Sequence, residues 1–147
     1  MMHKSLAFLL IVVLAACTTR PGPVTQPTTS LQPQSVDWSA EKGIEVDLSE
    51  FQIDPATLDF EAMHPYRVTF RNAGKSAHNF TSSEFFSAVV LRPDTPGAAA
   101  AQKGQIELTP GASSIVELVP VKPGRYSYRC THPFHEAFGR SGVAVIH

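Results

Sequence analysis

Short runs of alternating apolar and polar residues, closed by glycine and proline turns, restrict this chain to a β-architecture. In "IEVDL" (44–48) Ile44, Val46 and Leu48 share one face, and in "YRVTF" (66–70) Tyr66, Val68 and Phe70 do the same. "SIVELV" (114–119) sets Ile115, Glu117 and Val119 against Val116 and Leu118. "RYSYRC" (125–130) puts Tyr126, Tyr128 and Cys130 on one side, and "GVAVIH" (142–147) closes the chain. Side chains alternate across a strand, so a period of two marks one buried and one solvated face. The separators "RNAGK" (71–75), "TPG" (109–111) and "KPG" (122–124) carry turn chemistry. The pattern predicts an all-β fold, a Greek-key β-sandwich or barrel. One stretch departs from it. "SSEFFSAVVLRPDTPGAAAAQKG" (82–104) predicts a short helix capped by Ser82 or Ser83, then a Pro/Gly/Ala loop with alanines as filler, as an insertion beside the core.

The N-terminus reads differently. An unbroken apolar run from Leu6 to Ala16 is too short to span a bilayer comfortably and matches the apolar region of an export signal. It ends in "LAAC", which resembles the bacterial lipobox, so Cys17 is expected to carry lipid and tether the chain to a membrane. Residues 18–35, rich in Thr, Pro, Gln and Ser, cannot offset their ordering entropy and read as a spacer. This leaves residues 36–147 as one domain. Losing Lys4 with residues 1–17 leaves 11 of the 12 basic residues against 13 acidic ones. That near-neutral balance argues against a nucleic-acid partner. The expected setting is a bacterial cell envelope, lipid-anchored and facing the periplasm or the exterior, with the domain a monomer.

The chain has two cysteines. With Cys17 lipidated, Cys130 has no disulfide partner in the chain, and an unpaired thiol in an oxidising compartment must be buried or hold a metal. The sequence "CTHPFHEAFGRSG" (130–142) sets His132 and His135 just beyond it, and "NAGKSAHNF" places His78 past the strand "YRVTF". Cys130, His78 and His135, brought from two loops to one end of a sandwich, form a soft three-coordinate set. That mix suits copper, with zinc the competitor.

The order of a histidine, a long gap, then Cys-x4-His before a Gly-rich strand resembles the cupredoxins, the azurin and plastocyanin class of blue-copper proteins. "IEVDLSEFQIDPATLDF" looks like the family's first strands, "VTFRNAGKSAHNF" like its first ligand loop, and "VKPGRYSYRC" like the strand leading to its cysteine. The resemblance implies one copper ion held by His78, Cys130 and His135. It implies that Asn79 ties the ligand loops together near Thr131, and that the amides of Asn79 and His132 donate to the cysteine sulfur. The carbonyl of Ala77 falls where azurin-like members offer a distant axial oxygen.

The departure is axial. The family usually supplies a methionine four or five residues after the second histidine, and here those positions are Gly139 and Arg140. The methionine nearest the domain's strands, Met63, belongs to a turn expected at the opposite end of the sandwich. Arginine has no lone pair to ligate with, so Arg140 either points a cation at the site or faces solvent. Glu136 is a possible axial carboxylate. His132 is either an extra ligand or an exposed loop residue. The leading functional expectation is a membrane-tethered one-electron carrier with protein redox partners. Copper handling, with copper-exchange partners, is the alternative. A small-molecule redox enzyme is disfavoured, because Arg129 and Thr131 flank Cys130 where such enzymes commonly place a histidine.

Overall fold

The computed structural model describes residues 32–133 and 140–147. Cys17, His135, Glu136 and Gly139 lie outside the described residues. Two five-stranded sheets form a sandwich. The first has the order β2 (Ile53–Asp54), β1 (Lys42–Leu48), β4 (Tyr66–Asn72), β8 (Ser113–Pro120), β6 (Val89–Leu91). The second runs β3 (Thr57–Phe60), β10 (Ser141–Ile146), β9 (Gly124–Arg129), β5 (His78–Thr81), β7 (Gln105–Leu108). Among the described residues, only β1–β4 and β3–β10 pair in parallel. The expected β-sandwich is present.

The inward residues are those the alternation selected. Val46, Leu48, Val68, Phe70, Val116, Leu118 and Tyr128 are buried. Phe80 sits at the centre of an aromatic cluster, with ring centroids 4.8 Å from Phe70, 4.5 Å from Tyr128 and 5.9 Å from Phe86. Glu117 lies on the other face of β8 from Val116 and Leu118, opposite Arg67 of β4. It is buried between Arg67 and Arg92, each of which donates to its carboxylate, as a buried charge requires.

The insertion is more ordered than its sequence suggested. Helix α1 (Ser83–Ser87) forms as expected, with the Ser82 hydroxyl accepting from the Phe85 amide. The stretch after it is not a plain loop. Val89–Leu91 pairs with β8 as an edge strand, and the alanine run folds as α2 (Ala98–Gln102), burying Ala98 and Ala101. Alanine's high helix propensity and small volume explain both the helix and its close seat on the sheet. At the other end, Trp38 donates its indole N–H to the Pro33 carbonyl, and Arg92 lies 5.5 Å from the indole centroid. The last spacer residues are thereby held against the domain.

Met63 is 60% exposed and sits before β4, whereas the His78 loop follows the far end of that strand. It is therefore remote from Cys130.

Phe80→Ala removes the ring on which the aromatic cluster packs. The expected loss of unfolding free energy is about 3–5 kcal/mol, read from a denaturant melt at unchanged m-value.

Candidate metal centre

Cys130 directly follows β9, and Arg140 directly precedes β10. Arg129 pairs with Ser141, and one step further the Cys130 amide donates to the Arg140 carbonyl at 2.9 Å. Residues opposite one another in an antiparallel pair project from the same face. Arg140 therefore shares the inward face of Cys130, and both are buried, at 5% and 1% exposure. Of the two orientations open to Arg140 from sequence, the inward one is realised.

His78 reaches the same place from the neighbouring strand. It is the first residue of β5 rather than a loop residue. Among the described residues β5 and β9 pair at Thr81 and Arg129, and beyond that point side chains continue the connection. Asn79 Oδ1 accepts from the Thr131 amide at 2.8 Å, and Asn79 Nδ2 donates to Thr131 Oγ1 at 2.9 Å. The Asn79 amide lies 3.5 Å from Cys130 Sγ, within hydrogen-bond range for sulfur. These bonds fix the sulfur against the strand that carries His78.

The turn before His78 is set by Asn72 and Gly74 of the expected turn "RNAGK", and by Glu50, which the sequence did not single out. Buried Asn72 accepts from the Gly74 amide at 2.9 Å and donates to the carbonyls of Ser76 and Leu108. Glu50, from the far side of β1, accepts from the amides of Lys75 and Ser76. Gly74 has to be small, because a Cβ there would stand 2.7 Å from His78 Nε2 and from Glu50 Oε2. The Asn-x-Gly spacing was a readable turn signal. Glu50 left none, being brought in only by tertiary folding.

The ring of His78 is oriented. Arg140 Nη1 lies 3.4 Å from His78 Nδ1. Guanidinium only donates, so Nδ1 is the acceptor nitrogen and the ring proton sits on Nε2, 3.8 Å from Glu50 Oε1. Burial, then the Arg140 cation, pushes the imidazole below its ordinary pKa, while Glu50 pulls the other way. The result is a neutral imidazole with its lone pair aimed into the site.

Cys130 Sγ and His78 Nδ1 are 4.0 Å apart. Metal–sulfur and metal–imidazole bonds of about 2.3 and 2.0 Å together exceed that gap, so one ion can bond both atoms without moving either. Among the described residues Cys130 forms no disulfide. The donors are soft and borderline, which fits copper or zinc. Among the described residues no group of three or more His, Cys, Asp or Glu forms a metal cluster, and His135 falls outside them. His132 directs Nε2 to Glu107 Oε1 at 2.6 Å. Glu107 also accepts from Asn79 at 3.0 Å. Burial raises the Glu107 carboxyl, but the bonds from Asn79 and His132 outweigh it and hold the group below its ordinary value. Glu107 thus braces both ligand loops, a role its outward place in "QIEL" did not advertise. Ala77, whose carbonyl was an axial possibility, is half-buried beside His78.

A cupredoxin-like domain family matches residues 6–145. No curated protein matches the chain in sequence. Among solved structures, dithionite-reduced auracyanin from Roseiflexus castenholzii is 21% identical, with TM-score 0.53, covering 74% of this chain and 98% of that one. Auracyanin B is 20% identical, with TM-score 0.52, covering 76% of this chain and 93% of that one. A multicopper oxidase from Campylobacter jejuni is 15% identical, with TM-score 0.53, covering 72% of this chain and 30% of that one. These likenesses are likenesses of fold. The fold therefore occurs in enzymes as well as in small proteins of this chain's size.

The Glu50 carboxyl is held down to about 2, chiefly by the Lys75 amide. A depressed carboxylate stabilises the fold above its ordinary value and loses that effect as pH falls towards 2. Amide-exchange protection at Lys75 and Ser76 should therefore decline between about pH 5 and pH 2.5 in the natural protein. In Glu50→Gln it should start lower and stay flat.

Proposed function

Because the chain belongs to the cupredoxin-like domain family, we propose that it is a mononuclear copper protein acting as a one-electron carrier. The observation that carries this reading is the 4.0 Å approach of Cys130 Sγ to His78 Nδ1, held by Asn79 and Thr131. Copper bound there would supply one-electron redox chemistry. The chain supplies rigidity. Asn79 fixes the sulfur to β5, Asn72 and Glu50 fix the turn that aims His78, and Glu107 braces the loop after Cys130. Ligands that need not move when charge changes keep the reorganisation barrier low. His135 is proposed as the third ligand, with its ring edge as the route for electrons.

The surroundings are part of the same proposal. The Leu6–Ala16 run and Cys17 support a lipid anchor in a bacterial envelope, with the spacer carrying the domain to protein redox partners. Among the described residues no helix is long and apolar enough to cross a membrane. The described domain is proposed to work as a monomer, without nucleic acid.

Copper handling is a second reading, and Arg140 favours it, because a buried cation beside the donors weakens retention of a doubly charged ion. Loss of Cu(I) to a competing chelator within minutes supports handling. Retention through repeated redox cycles supports the carrier.

Copper(II) added to the protein should give an intense thiolate-to-copper visible absorption that bleaches with dithionite. Cys130→Ser should abolish the band, and His78→Ala should weaken copper binding at least tenfold. A colourless copper-loaded natural protein under oxidising conditions would sink the proposal.

A further inference from the structure

Arg140 is the least compensated charge near the donors. The residue is 5% exposed, and its Nε has no hydrogen-bond partner. Among the described residues it forms no salt bridge, and its side-chain contact is with His78 Nδ1 at 3.4 Å. Arginine stays protonated at any working pH, so this is a permanent cation in a poorly screened place. It also lies against the lone pair that a metal needs.

We propose that Arg140 is a specificity-determining residue that makes the site discriminate by metal valence, favouring a soft monovalent ion over a divalent one. The inference rests on the metal-binding reading of Cys130 and His78. An ion bonded to Nδ1 at about 2.0 Å lies within roughly 5.5 Å of Nη1. At an effective dielectric of about 20, two unit charges at that separation repel enough to weaken binding about a hundredfold. A monovalent ion meets that repulsion once and a divalent ion twice. Other contributions are shared: both ions deprotonate the same thiol, and both take the same lone pair from Arg140. They cancel in the ratio of the two affinities, which isolates the charge of Arg140. The softness of sulfur then decides among monovalent ions, against alkali cations and for the copper(I) class.

Two closed-shell ions of fixed valence test this without redox chemistry: silver(I) in chloride-free buffer and zinc(II). Their affinities are measured by competition in the natural protein, in Arg140→Leu and in Arg140→Lys. Leucine removes the charge without adding a donor, and lysine keeps it. Circular dichroism and thermal melting select the variants that fold. Arg140→Leu should raise the zinc-to-silver affinity ratio about a hundredfold, while Arg140→Lys should stay within a few-fold of the natural ratio. A ratio that moves less than threefold in Arg140→Leu overturns the inference, as does an equal rise in both variants. If Arg140→Leu fails to fold, a shift of similar size in Arg140→Gln supports the proposal, and an unchanged ratio there overturns it. Failure of the natural protein to bind silver, or silver binding indifferent to Cys130→Ser, overturns the metal reading itself and the valence discrimination with it.

Discussion

The side chain of Asn79 does what a β-ladder would otherwise do. Strands β5 and β9 meet at Thr81 and Arg129, and continuing that antiparallel register outward brings Asn79 opposite Thr131. There the amide group of Asn79 exchanges hydrogen bonds with both the backbone and the hydroxyl of Thr131, while its own N–H faces the sulfur. A single residue thus bridges the two strands where their ladder ends. Everything proposed for this protein depends on that cross-link, because the donors are 52 residues apart in sequence.

Three elements then converge on the opening with different duties. The end of β9 delivers the sulfur, the start of β5 delivers the imidazole, and the start of β10 delivers the guanidinium. The first two are oriented from behind. Glu50 and Asn72 organise the turn under His78, and Glu107 takes bonds from Asn79 and His132. Outer groups of this kind set ligand orientation and basicity. The neutral state of His78 follows from burial and from Arg140 together, so the cation that opposes a metal also keeps the imidazole unprotonated for one.

The fold was legible because its strands are amphipathic. The period of two in 44–48, 66–70 and 125–130 named core residues, most of them buried, with Ile44 and Tyr126 packed part-buried against the core. It failed where burial is two-sided or the strand is short. Val89–Leu91 pairs at an edge with too few residues to show a period, and the alanines of 98–102 looked like loop because small residues carry little hydrophobic signal. His78 and Cys130 could be singled out from residue type and order. The supporting carboxylates could not, since Glu107 sits on an exposed position and Glu50 is brought in only by tertiary folding. Arg140 was ambiguous for a different reason: parity along β10 depends on where the hairpin closes, and the bond from Cys130 to Arg140 settles it.

Glu117 and Arg140, the two buried charges among the described residues, illustrate what that pairing means. Glu117 and Arg140 are equally inaccessible, at 5% exposure each. Glu117 has a guanidinium on either side, from Arg67 and Arg92, and so meets the usual condition for burying an ion. Arg140 meets no carboxylate among the described residues, although acidic side chains as near as Glu50 and Glu107 are engaged elsewhere around the same site. The group across the strand pair from it is Cys130, which becomes an anion when it ligates a metal. A cation facing a thiolate is balanced, and a monovalent metal then leaves one net positive charge where a divalent one leaves two. In a low-dielectric pocket that difference would fall on the oxidised form of copper, were copper bound there. On the proposed reading, the register that pairs β9 with β10 would bias the site towards a monovalent ion.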